Sequence, residues 1–275
     1  MAIIRQSLTE TANTFSQNQT LNGTANTAPN QTAASASSLM TRSLASDEPF
    51  FNLGACYRPA SLTYGFAGTS AQSSQIAGTN GLAVIGSGTT ATGYGRATLG
   101  QGLSTFSNFS GGGINFNRKI GVATRFFIGA RTPNNLIRLI VGGNGAVPAT
   151  ADQNALSNNG FGWEIRFTGT DTEVRIFVHN GTTYSTSPSW QNLGVTGDHL
   201  YAVMYLAIYS NAAGLITCFY GINGNRNLST ITLSGGPTGN TLFANSYVDL
   251  VCVNGSTPSN GFSLALTDAM FTTVL

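Results

Sequence analysis

The hydrophobic positions of this chain fall in short runs, and polar turn residues interrupt them at regular intervals. From Trp163 onward, WEIRF, VRIFV, YAVMYLAIY, LITCFYGI, STITL, YVDLVCV and FSLAL are each apolar, β-branched or aromatic. Between them stand GTD, HNG, NAAG, NGN, GGPTG and NGSTPSNG. Runs of this length with turn chemistry at every break predict the strands of an all-β sandwich or barrel. Side chains alternate along a strand. In NLIRLIVGG, residues 135–143, Leu136, Arg138 and Ile140 therefore share one face, and Ile137, Leu139 and Val141 the other. GWEIRF and TEVRIFVHN read as a hairpin joined across Gly169-Thr170-Asp171, in which Val174, Ile176 and Val178 face one way and Arg175 and Phe177 the other. Glu164 and Arg166 share a face, from which they can pair with Arg175 or Glu173 across the hairpin. Asn180-Gly181 predicts a type I′ turn, because both residues tolerate positive φ. HLYAVMYLAIYS is the longest apolar run, and its Tyr and Val content favours a buried central strand over a helix.

The pattern divides the chain. Residues 1–48 are rich in Asn, Gln, Thr, Ala and Ser and read as an extended polar N-terminal arm, ordered where a neighbouring subunit holds it through Ile3, Ile4, Leu8 or Leu39. Residues 49–93 are a Gly/Ser-rich β-element leading into the sandwich, with GLAVIG as its one clear strand. Residues 94–275 form the sandwich itself, a two-sheet antiparallel one. The segment 144–160 is long and polar, a kind of loop that tends to be functional or disordered.

Composition narrows the function. Charged residues make up 8% of the chain and Lys119 is its one lysine, so the surface must be covered by Ser, Thr, Asn, Gln and Gly. Such a surface repels its own copies little, which suits a subunit packed into an assembly. The net charge of +2 comes from scattered arginines without a basic stripe, so no nucleic-acid partner is expected. No apolar run reaches 18 residues, so no membrane insertion is expected. The N-terminus lacks the apolar stretch of a secretory signal, and synthesis in a cytoplasm is expected. Cys56, Cys218 and Cys252 are odd in number and lack metal spacing, and the latter two sit in apolar strands as buried free thiols.

The order of elements carries a resemblance. His199 opens an apolar strand that leads through Asn211-Ala212-Ala213-Gly214 into LITCFYGINGN, where Tyr220, Asn223 and Gly224 close the second strand. STITL, YVDLVCVNG and FSLALTDAMFTTVL follow, with Asp268 and Leu275 in the closing strand. Over about residues 94–275 this resembles the concanavalin A-like jelly roll, especially its laminin-G-like branch, with one extra residue between Tyr220 and Asn223. Joined to the polar arm and the scarcity of lysine, the whole resembles a bacteriophage virion protein: a fibre, tail or capsid-decoration subunit. That resemblance implies a non-enzymatic structural protein of the virion, made in the host cytoplasm. Its partners are other copies of itself, other virion proteins and a cell-surface polysaccharide. The alternatives are an extracellular lectin-like adhesin and a polysaccharide-cleaving enzyme.

The enzymatic alternative lacks residues. Sandwich glycosidases carry carboxylates at alternate positions of one strand, and here Arg166 stands two positions after Glu164. No catalytic residue is assigned. No Asp-x-Asp-x-Asn run exists, so no metal or other cofactor is expected. His179 reads as a hydrogen-bonded turn histidine, and Trp163 as core. A glycan needs an aromatic face and a few amide or hydroxyl partners. Trp190, Tyr184, His179 and Asn180 meet that need and are the candidate ligand-binding residues, with packing of Trp190 against an edge or a subunit neighbour as the competing role.

Overall fold

A computed structural model describes residues 52–57, 63–69, 71–75, 83–98, 114–128, 135–142, 148–169, 171–196, 203–222, 228–241, 247–257 and 263–274. The N-terminal arm and His199 lie outside the described residues. Among the described residues there is no helix. The strands are β1 (Asn52–Tyr57), β2 (Thr63–Ala67), β3 (Gln72–Gln75), β4 (Ala83–Gly86), β5 (Tyr94–Thr98), β6 (Ile114–Asn115), β7 (Ile120–Ile128), β8 (Asn135–Gly142) and β9 (Gly160–Phe167). They continue with β10 (Asp171–His179), β11 (Tyr184–Thr186), β12 (Gln191–Thr196), β13 (Val203–Ser210), β14 (Ile216–Ile222), β15 (Ser229–Leu233), β16 (Asn240–Thr241), β17 (Tyr247–Asn254) and β18 (Ser263–Val274).

Two antiparallel sheets form the expected sandwich. Sheet A has the order β15-β14-β13-β7-β18-β4-β3, with β1 also paired to β18. Sheet B has the order β11-β10-β9-β8-β17-β5-β2, with β12 also paired to β10. A small ribbon pairs β6 with β16. Strands β1 to β4 therefore pair directly with strands of the two sheets, and the sandwich takes in chain well before Tyr94.

Alternation builds the core between the sheets. Val122, Phe126 and Ile128 of β7, Leu206 and Ile208 of β13 and Ile216 and Cys218 of β14 come from sheet A. Ile137, Leu139, Val141, Trp163, Ile165, Val174, Ile176 and Val178 come from sheet B. Trp163 is wholly buried and stacks on Phe126 across the layers, with ring centroids 5.7 Å apart. Cys218 and Cys252 are buried free thiols, as expected, and burial pushes the Cys218 thiol far up. β13 is the predicted central strand, lying between β14 and β7. It ends at Asn211, whose Oδ1 accepts from Ala213 N at 2.9 Å and Leu215 N at 3.1 Å.

Candidate functional site

The face of sheet B that points away from the sandwich core carries a cluster of charged side chains. Register places Arg138, Glu164 and Arg175 in one row across β8, β9 and β10. Glu164 is wholly buried on that face and accepts from Arg138 Nε at 2.9 Å through Oε2 and from Arg175 Nε through Oε1. In the next row Arg166 Nε donates to Glu173 Oε2 at 2.6 Å. The expected hairpin pairs thus form. Arg138 completes the ladder, and sequence reading did not connect it to Glu164. Its signal was there, since a charge set inside an apolar strand must be paired to be buried. A charged residue also falls at the facing position of the neighbouring strand.

Arg138 also holds a roof. Its NH1 group donates to the carbonyls of Ala149 at 3.2 Å and Thr150 at 2.9 Å, and NH2 to Gln153 at 2.7 Å. These bonds pin the segment 148–159 onto the outer face. Ala151, Ala155 and Leu156 there pack with Leu136, Ile140, Phe177, Val251 and Val253, and Tyr94, Tyr184 and Trp190 border the cluster. This second apolar cluster lies outside the inter-sheet core. The end of the same segment is tied to its neighbour, because Asp152 accepts from the Ser256 backbone amide. That bond holds the Asp152 carboxyl below its usual range.

The structure brings Trp190 and Tyr184 to this face and leaves Asn180 at its margin. Tyr184 stacks on Phe177, with ring centroids 6.0 Å apart, and burial raises its hydroxyl pKa, the charge of Glu164 adding to the shift. Trp190 is half-buried. The guanidinium carbons of Arg166 and Arg175 each lie 4.3 Å from its ring centroid, a cation–π distance. His179 closes the β10–β11 hairpin: its Nδ1 accepts from Gly181 N at 3.0 Å, and burial holds its pKa below the ordinary histidine value. Asn180 is exposed, and its Oδ1 accepts from Thr182 N and Thr183 N at 3.0 and 2.9 Å. The hairpin is therefore present, but its turn is not type I′. His179 pairs with Tyr184, which leaves four residues in the loop. Gly181 has positive φ and Asn180 does not. The Asn180 side chain replaces the backbone geometry that the two-residue turn would have needed.

A second buried carboxylate lies on the same face. Thr98 Oγ1 donates to Asp249 Oδ1, and Arg96 NH1 stands 3.9 Å from Oδ2. Burial pushes the Asp249 carboxyl above its usual range, against the pull of Thr98 and Arg96. Among the described residues no three His, Cys, Asp or Glu side chains come together as a metal site would require.

No protein-family model matches the chain, and no curated protein matches it. Solved structures do. A protein of unknown function from Shewanella oneidensis MR-1 superposes with a TM-score of 0.53 at 12% identity, over 85% of this chain and 93% of that one. Lectin II from Ulex europaeus matches with a TM-score of 0.50 at 13% identity, over 81% and 99%. The carbohydrate recognition domain of Emp47p matches at 0.50 and 12% identity, over 78% and 89%. The fold is the lectin-like, concanavalin A-like β-sandwich.

Proposed function

We propose that this chain is a non-enzymatic carbohydrate-binding domain whose ligand meets the outer face of sheet B at Trp190, with Tyr184, His179 and Asn180 around it. One observation carries the reading. A half-buried indole is held at the border of an apolar, roofed sheet face, beside polar groups and within a fold that lectins share. Polysaccharide cleavage is disfavoured by the same ladder. Glu164 is neutralised between two guanidiniums and shut away from solvent, a poor position for a general acid or a nucleophile. Binding of the full chain to immobilised polysaccharides, followed by interferometry, tests the proposal. Trp190→Ala should weaken binding about tenfold or more while thermal melting stays cooperative. Unchanged binding in that variant, or reducing sugar released by the wild type and lost in Glu164→Gln, would overturn it.

An assembly role, as a virion subunit or an adhesin displayed outside the cell, is the second reading. It is favoured by how the chain distributes its charge. Of twelve basic and ten acidic residues, Arg96, Arg138, Arg166, Arg175, Glu164, Asp171, Glu173 and Asp249 all fall on this one face by register. The remaining fourteen charged residues are few for a chain of 275, and few charges are what an interface would have to desolvate. Sedimentation of the full chain as a monomer at micromolar concentration would count against it.

A further inference from the structure

We propose that the ligand of this face is an acidic saccharide, whose carboxylate is received by the terminal amino groups of Arg166 and Arg175 beside Trp190. The inference rests on the carbohydrate-binding reading above and names the chemical class of its ligand. A guanidinium has five N–H donors in a planar fork. Arg138 is buried and spends four of its five donors on Glu164 and three loop carbonyls. Arg166 and Arg175 are far less engaged. Among the described residues each makes its one side-chain hydrogen bond through Nε, to Glu173 and Glu164 respectively, and the NH1 and NH2 groups of both make none. The two side chains are 41% and 29% exposed, so these donors reach solvent.

Position makes the pair more than two surface arginines. The Nε bonds fix one edge of each guanidinium, and the Trp190 ring, 4.3 Å from both, fixes a second contact. Little side-chain freedom is then left to lose on binding, which is where long charged residues usually forfeit affinity. The anions already present do not consume the open edges. Glu164 is buried beneath and shared with Arg138, and Glu173 is bonded to Nε of Arg166. Asp171, two residues before Glu173 on β10, has an interaction of its own, and Asp249 is held by Thr98 and Arg96 on β5. A planar carboxylate fits an N–H fork in bidentate fashion. A uronic acid unit brings such a carboxylate on a sugar ring, and the part-exposed rings of Trp190 and Tyr184 at the edge of the roofed cluster are the aromatic groups that ring would meet.

The test compares polygalacturonate, its fully methyl-esterified form, a neutral galactan and a sulfated galactan, each against the full chain by interferometry. Polygalacturonate should bind roughly tenfold tighter than its methyl ester. Arg166→Gln should abolish that preference, and Arg166→Lys, which keeps the charge and loses the fork, should retain only part of it. Arg118→Gln makes the same change of net charge on an exposed turn and should leave the preference intact. Equal binding of acid and ester, with Trp190→Ala still weakening both, would overturn the acidic ligand and leave the carbohydrate reading standing. Binding of none of the four would remove both. Tighter binding of the sulfated galactan than of polygalacturonate, or an equal loss in Arg118→Gln, would also overturn the assignment.

Discussion

Glu164 shows how much one side chain can organise. Its two oxygens each take a guanidinium from a different neighbouring strand, so a single carboxylate fastens β8, β9 and β10 on their outer face. Removing one partner of a buried ion pair leaves the other charge uncompensated and costs about 3–5 kcal/mol. Glu164→Gln should therefore destabilise the fold by that amount in urea titration, because it leaves Arg138 and Arg175 facing each other in low dielectric. A loss under about 1 kcal/mol would show that the ladder is better solvated than its burial indicates. His179 gives a pH dependence. Its folded-state pKa is lowered by burial below 6.5, and its Nδ1 must stay unprotonated to accept from Gly181. The unfolded chain then binds more protons than the folded one between the lowered value and 6.5. The contribution is complete above 6.5 and is lost as the pH falls through that window. The urea midpoint of the wild type should drop from about pH 7 to 5, and the drop should shrink in His179→Gln. Equal slopes in both proteins would exclude His179 as the source.

At the scale of the element, alternation made the long strands legible, and the faces assigned to residues 136–141 and 174–178 are those the structure adopts. What escaped was held by contacts that no periodicity records. β1 and β3 are short, β3 is wholly polar in sequence, and both exist because β18 and β4 offer them a partner edge. β12 follows Trp190 along the free half of the β10 edge that β11 leaves open. Glycine inside β9 is a packing device that looks, in sequence, like a weakened strand. A Cβ on Gly162 would stand 1.9 Å from the Leu139 carbonyl oxygen and 2.5 Å from Phe177 Cζ. The missing side chain thus gives the Phe177 ring its place on the outer face, where it meets Tyr184. Gly162→Ala should cost about 1–3 kcal/mol through overpacking, displacing Phe177 and with it Tyr184. A lower urea midpoint together with a changed near-ultraviolet tyrosine signal is the expected result. A variant as stable as wild type would mean that β9 can move away from β8 without penalty.

Across the whole molecule, the sandwich closes through its last strand. β18 lies inside sheet A, paired along one side with β7 and along the other with β4 and then β1, so that Val274 is the register partner of Asn52. β17 is placed in the same way inside sheet B, between β8 and β5. Neither sheet can be completed from a contiguous stretch of chain, which is why the class of fold could be read from local runs while the order of strands could not. Loop-closure entropy must be met before such pairings stabilise anything, and chains dominated by them fold slowly. Refolding of the full chain from urea should accordingly take about milliseconds to seconds or longer, as stopped-flow fluorescence of the two tryptophans would show. A chain ending before Ser263 loses the strand that separates β7 from β4 and β1, leaves three ladders without a partner, and exposes the strand edges that favour aggregation. It should show neither a cooperative melt nor the strand band in far-ultraviolet circular dichroism. A soluble truncated chain with a sharp transition would mean that sheet B and its charged outer face fold independently of sheet A, and that the ladder around Glu164 can be built without the core behind it.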